Sequence, residues 1–351
     1  MKTEKNMFDL KSIVRPNIWS LKPYSSARDE YSGKEAHTFL DANESPYNNP
    51  YNRYPDPLQR ELKQQIAVLK DVRPEQIFLG NGSDEAIDLV FRIFCTPGRD
   101  NIVTIEPSYG MYEVCADINN IECRKVGLSN CFDIEANRLL DVCNDKTKAI
   151  FLCTPNNPTG NTLDAGEIRK VLELFNGIVV IDEAYSEFSS QPIWRPEINK
   201  YPNLIVLNTL SKAWASAGIR LGMAFAQSDI IGLFNKVKYP YNVNMLTQRQ
   251  AKEILNRRPD VEDWVKLTIN ERLSLMYAVN ELDICQQVYP SESNFFLARF
   301  KDANRIYDYL VDQGIIVRNR SRVKLCDDCL RITIGSPKEN TTLLSALRRY
   351  N

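Results

Sequence analysis

Histidine is nearly missing from this chain: His37 is the single one among 351 residues. A Ser-His-Asp relay, a multi-histidine metal centre or a histidine proton shuttle therefore lacks its parts. Proton transfer at neutral pH falls instead to Lys, Tyr, Cys or a carboxylate. An excess of one charge is missing too. Lys and Arg number 44 against 45 Asp and Glu, for a net charge of −1, which favours neither nucleic acid nor an anionic membrane surface as partner. No run of about 18 apolar residues occurs, so no membrane-spanning helix is expected. The opening MKTEKNMFDLKSIVRP has no apolar stretch of a secretory signal. These features predict a cytoplasmic protein.

The nine cysteines are scattered, several inside apolar runs, as reduced buried thiols are. Cys326 and Cys329 form a C-x-x-C, but no second pair stands ready to complete a zinc site, so no metal is expected. His37 lies in the alternating run EAHTFLDANE, which reads as strand-like and structural.

What is present is an ordinary globular composition, 43% hydrophobic and 25% charged. From about Tyr54 to Ala226, short apolar runs (QIFLG, NIVTIEP, TKAIFLCTP, GIVVIDEAY, NLIVLNTLS, GMAFAQ) alternate with helical patterns. Nearly continuous apolar strands separated by helices predict an α/β fold, a mostly parallel sheet sandwiched by helices. SDEAIDLVFRIF reads as a helix capped at Ser83. Near 245 the pattern changes to two long helices, then NFFLARF, a helix at DANRIYDYLVDQ, IIVRNR and LRITIGS, an α+β pattern. The expected division is a large domain over 50–245 and a smaller α+β domain made of 246–351 with the N-terminal 1–49.

Ligands of open α/β sheets bind beyond the carboxyl ends of the strands, and the unusual polar residues fall there. GNGSDEA follows one strand; its glycines allow a tight turn, and its helix start offers free N–H groups to a phosphate. Read alone it is equally a capping turn, and it is not a dinucleotide fingerprint, because Glu85 stands at the third glycine position. PSYGMY and CTPNNPTG follow two more strands. Asp182 ends a strongly apolar strand, where a carboxylate needs a cation or several donors. Lys212 follows another, behind the hydroxyls of Thr209 and Ser211, with Arg220 eight residues on. A cleft lysine of lowered pKa forms a Schiff base. Ser211, Arg220 and the helix start at Ser83 can hold a dianionic phosphate, and Asp182 can pair a protonated ring nitrogen. A phosphate, a pyridinium and an aldehyde together describe pyridoxal phosphate.

The segments LDANESPYN, YNRYPDP, GNGSDEAID, EPSYGMY, CTPNNPTGN, VIDEAYSEF, TLSKAWASAGIRLG and LRITIGS carry a resemblance over nearly the whole chain. In their order and spacing the sequence resembles the fold-type-I, aspartate-aminotransferase-like pyridoxal-phosphate enzymes (class II), and within them the histidinol-phosphate aminotransferase branch. The resemblance implies transfer of an amino group between histidinol phosphate and 2-oxoglutarate, giving imidazole-acetol phosphate and glutamate, in histidine biosynthesis. It implies that Lys212 bonds to the cofactor and carries the proton, and that Asp182 holds the ring nitrogen protonated. Asn157 and Tyr185 would bond the 3-oxygen, and Tyr109 would stack on the ring. Gly82, Ser83, Asp84, Ser211 and Arg220 would hold the phosphate. Tyr54 would reach the phosphate of a neighbouring subunit, which implies a homodimer. Arg331 would grip the substrate carboxylate, Arg318 and Tyr24 the substrate phosphate, and Asn43 would lie by the substrate.

The sequence departs from the family pattern where Trp214 replaces a smaller aromatic, where Ala215-Ser216 replaces Gly-Leu, at Ser45, and over RSRVKLCDDCLRI. An aromatic or broad-range aminotransferase and a phospho-amino-acid decarboxylase use the same scaffold. A non-catalytic cofactor-binding module would be expected to have lost Lys212, Asp182 or Arg220, and a nicotinamide-dependent oxidoreductase would need the glycine fingerprint.

Overall fold

A computed structural model describes residues 8–23 and 37–350. A seven-stranded sheet organises the larger part: β1 (Ile77–Asn81), β2 (Asn101–Glu106), β3 (Glu122–Gly127), β4 (Thr147–Cys153), β5 (Ile178–Asp182), β6 (Leu204–Thr209) and β7 (Leu221–Phe225), in the order β1-β7-β6-β5-β4-β2-β3. All neighbours are parallel except that β7 runs against both β6 and β1.

Each strand alternates side chains between two apolar layers. In β5, Ile178 and Val180 enter one core, Val179 and Ile181 the other. The first core is closed by α1 (Leu10–Ile13), α2 (Pro16–Trp19), α4 (Ser83–Phe94), α5 (Met111–Ile118) and α8 (Ser228–Val237). The second is closed by α3 (Arg60–Lys70), α6 (Ala136–Asp141), α7 (Ala165–Leu174) and α9 (Met245–Leu255). Burial on both faces is why these strands read as unbroken apolar runs, the edge strand β3 (ECRKVG) excepted, which is polar and partly exposed and which the sequence pattern did not announce.

The 23-residue α10 (Arg258–Asn280) leads to a four-stranded antiparallel sheet, β8 (Cys285–Val288), β9 (Phe295–Phe300), β10 (Arg318–Asn319) and β11 (Cys329–Thr333), in the order β10-β11-β9-β8. One face packs Phe296, Phe300, Leu330 and Ile332 against α10, α11 (Ala303–Asp312) and α12 (Pro337–Arg349). The other turns Phe295, Leu297 and Cys329 toward the large sheet's core. No helix among the described residues is long and apolar enough to cross a membrane.

Three sequence expectations need correction. Residues 8–23 do not join the small domain: Val14 and Ile18 pack into the large sheet's first core, and the Arg15 N–H donates to the Ile93 carbonyl of α4 at 3.0 Å. Apolar residues of this segment simply find the nearer unfilled face. His37 lies in an exposed, irregular stretch and pairs with no strand among the described residues; alternation alone cannot make a strand without an edge to pair with. Ser83 is the first residue of α4 rather than its cap. Gly82 caps it, and no side chain bonds the free N–H groups, which leaves them for something else.

Candidate active site

The sheet topology explains why the polar residues meet. Strands β1, β2, β4, β5 and β6 end on one edge, and the reversed β7 begins there. The residues after five strands and before a sixth therefore line one cleft of about 890 Å³. Gly82, Ser83, Asp84, Tyr109, Asn157 and Asp182 line it, as do Tyr185, Ser211, Lys212, Arg220, Arg318 and Arg331. Asn43 and Tyr54 line a separate pocket with Tyr51 and Leu246. Within one chain the structure does not bring these two to Lys212. Tyr24 lies outside the described residues.

At the floor, Asp182 is 3% exposed. Its carboxylate accepts the Tyr112 hydroxyl at 2.8 Å and the Ala184 N–H at 3.0 Å. Burial pushes its pKa up to about 6, against the pull of these two donors. Lys212 opens to the cleft, its Nζ 5.6 Å from the centroid of the Tyr185 ring. Desolvation by the walls, with Arg331 nearby, lowers the pKa of its amine, the direction a nucleophilic lysine needs.

Beside them, Asn157 uses both ends of its amide. Its Nδ2 donates to the Tyr185 hydroxyl at 3.3 Å, and its Oδ1 accepts Arg331 Nη1 at 2.5 Å. Arg331 also lies 5.1 Å from the Phe295 ring centroid, packed as a flat guanidinium is. Tyr109 stands edge-on to Tyr112, with centroids 5.6 Å apart, and donates to Asp84 at 3.0 Å.

The opposite wall is a cradle. The Gly82 N–H donates to the Arg220 carbonyl at 2.9 Å, tying the start of α4 to the start of β7. Arg220 sits in the left-handed region (φ 55°) and reaches Asp84 at 3.7 Å. Gly82 also has positive φ (73°), and a Cβ there would lie 2.6 Å from Arg220 Nη2. Gly222 is more constrained: a Cβ would meet Gly82 and Ser83 backbone atoms at 2.1 Å. Thr209 Oγ1 donates to Ser211 Oγ at 3.0 Å, holding a hydroxyl at the same edge. Uncapped helix N–H groups, two hydroxyls and a guanidinium fit a phosphate. With Asp182 and Lys212 on the same cleft, the residues fit pyridoxal phosphate.

Sequence reasoning missed Tyr112, which stands three residues after Tyr109 on the first turn of α5. That spacing was visible; its reach to Asp182 was not. It also passed over Arg320, Arg322 and Lys324, which line the cleft's far end. Cys326 and Cys329 are buried free thiols, their pKa values raised by burial to about 12 and about 11. No cluster of three or more metal-binding side chains occurs among the described residues.

The chain matches the family model for aminotransferase class I and II over residues 29–347. It is 59% identical to a histidinol-phosphate aminotransferase of Bacteroides fragilis, over 98% of this chain and all of the relative. It is 47% identical to that of Flavobacterium johnsoniae over 99% of this chain and all of the relative. Among solved structures it resembles the histidinol-phosphate aminotransferase of Clostridium acetobutylicum, with a TM-score of 0.79 and 26% identity over 85% of this chain and 90% of that one. With such a cleft and such relatives, the chain belongs to the class I and II aminotransferase family, among the histidinol-phosphate aminotransferases.

Proposed function

We propose that this enzyme transfers the amino group of histidinol phosphate to 2-oxoglutarate, yielding imidazole-acetol phosphate and glutamate, with pyridoxal phosphate as cofactor, as a step of histidine biosynthesis. The observation that carries this is the meeting of Lys212 and Asp182 in one cleft whose ends are both cationic, Arg220 at one and Arg318 with Arg331 at the other. Two cationic ends suit a phosphorylated cofactor and an anionic substrate lying between them.

When bound, the cofactor supplies an electron sink for the pair left when the substrate α-proton departs. The chain's own residues do the rest. Gly82, Ser83, Ser211 and Arg220 hold the phosphate, and Tyr109 covers the ring. Asp182 keeps the ring nitrogen protonated, and Tyr112 keeps Asp182 in place. Asn157 and Tyr185 hold the ring oxygen. Lys212 Nζ would take the proton from the substrate α-carbon and carry it to C4′ of the cofactor, a task its lowered pKa suits. Arg331 grips the glutamate carboxylate in a bidentate fork, and Arg318 and Tyr24 take the substrate phosphate.

The proposal includes a homodimer in the cytoplasm. Tyr54 is half exposed and stacks on Tyr241 at 4.4 Å, beside exposed Tyr51 and Leu246. A second copy covering this face would receive Tyr54 at its phosphate and bring Asn43 to its substrate. Free cysteines fit a reducing compartment.

The test is glutamate formation from histidinol phosphate and 2-oxoglutarate, run against aromatic amino donors. Preference for histidinol phosphate supports the proposal; preference for aromatic donors, or release of carbon dioxide from a phospho-amino acid, refutes it. Lys212→Ala should abolish turnover while leaving the fold intact, and a Lys212→Ala protein that transaminates normally would end the mechanism.

A further inference from the structure

The stretch Arg318–Lys324 brings four cations to the far end of the cleft, Arg318, Arg320, Arg322 and Lys324. Only Lys324 has a carboxylate partner, Glu106 at 3.1 Å. The other acids of the cleft are committed: Asp84 to Tyr109 and Arg220, Asp182 to Tyr112, Glu113 to Lys125. Among the described residues no carboxylate pairs with Arg318, Arg320 or Arg331.

Register explains why three of these arginines converge. Arg318 lies directly opposite Arg331 in the β10–β11 pair, and the Arg320 N–H donates to the Cys329 carbonyl at 2.8 Å, prolonging the pair. Side chains two residues apart share a face. Arg318, Arg320 and Arg331 therefore stand on one face, opposite the Leu330 and Ile332 that fill the small domain's core. Nε of Arg320 is buried without an acceptor, as is Nε of Arg331. Burial, with Arg331 and Arg318 alongside, lowers the Arg320 pKa to about 10, so the group stays charged at neutral pH. Desolvated like charges without a counter-charge are unfavourable until an anion completes them. One carboxylate occupies the fork of Arg331 and leaves Arg320 unanswered; a dianion answers both.

We propose that Arg320 is a specificity-determining residue, its guanidinium binding the substrate's phosphate dianion together with Arg318, so that the cleft separates a phosphorylated amine from a substrate carrying only carboxylates. This rests on the reaction proposed above, and it adds a residue to the binding set.

The experiment compares the wild-type holoenzyme with Arg320→Gln and Arg320→Lys in each half-reaction, once with histidinol phosphate and once with glutamate, and measures inhibition of the glutamate half-reaction by inorganic phosphate. Loss of a charge-assisted bond predicts a KM for histidinol phosphate raised about tenfold to a hundredfold in Arg320→Gln, with kcat changed much less. The KM for glutamate should rise far less, inhibition by phosphate should weaken in parallel with the histidinol phosphate effect, and Arg320→Lys should recover part of both. Equal effects on the two substrates, or none on either, overturn the assignment. If the wild-type enzyme ignores histidinol phosphate, the proposed reaction fails on its own. The phosphate titration then still decides about Arg320: weaker inhibition in Arg320→Gln supports its role, and unchanged inhibition ends it.

Discussion

Arg331, on β11 of the small sheet, and Tyr185, in the turn after β5 of the large one, hold opposite ends of one amide: Asn157 accepts the arginine at 2.5 Å and donates to the tyrosine hydroxyl at 3.3 Å. The group proposed to grip substrate is thereby coupled to the group proposed to lie beside the cofactor ring. Asn157→Ala should cost about tenfold or more in kcat/KM, since two bonds are lost and a buried guanidinium loses its acceptor. In a double-mutant cycle with Arg331→Ala the losses should fall well short of additive. Strict additivity in steady-state kinetics would mean that the coupling carries no function.

Tyr112 offers a second prediction. Tyr112→Phe leaves Asp182 with the Ala184 N–H as its single remaining protein donor. Losing a bond to a buried carboxylate is worth about 1–3 kcal/mol, and the Asp182 pKa should climb further. Below about pH 6 Asp182 is protonated even in the wild type, so cofactor retention should fall there, and the variant should show that fall at higher pH. Absorbance of retained cofactor across a pH series checks this; coincident profiles would count against it.

Two glycines make a paired test. Gly222→Ala places a methyl 2.1 Å from backbone atoms of Gly82 and Ser83, which cannot swing aside. The start of α4 must shift, with weaker cofactor binding and a lower melting temperature. Gly218→Ala meets nothing within 4 Å and should leave both nearly unchanged. Equal behaviour of the two variants in thermal melts and cofactor titration would refute the cradle geometry.

Glu183 makes a prediction about pH. It is 2% exposed, accepts the Trp194 N–H, and is pushed by burial from 4.5 to about 7. The fold therefore keeps a proton that the unfolded chain releases. Its contribution to stability is complete below about pH 4.5 and is lost as pH rises to about 7. Glu183→Gln keeps an acceptor for Trp194 and removes the titration. Its melting temperature relative to wild type should rise steadily between those two pH values; a flat or falling difference would contradict the linkage.

The local pattern determined the elements and the residues at their ends. Apolar runs marked six of the seven strands of the large sheet because strands covered on both faces tolerate no polar residue until they stop; the edge strand β3 (ECRKVG) is polar and partly exposed, and no apolar run announced it. Asp182, Lys212 and Asn157 stood out because each follows such a run. Local pattern failed where it lacked a partner: His37 alternates without a neighbouring strand among the described residues, and residues 8–23 pack on α4 by filling a face that the chain itself does not announce.

Tertiary structure alone decided which of these residues touch. Tyr112 and Asp182 are 70 positions apart, and Arg331 and Asn157 are 174 apart. Strand order, the reversal of β7 and the β10–β11 register bring them together. Those are properties of pairings between distant segments, and a one-dimensional reading of hydrophobic period carries residue type and spacing but not the register that sets a face.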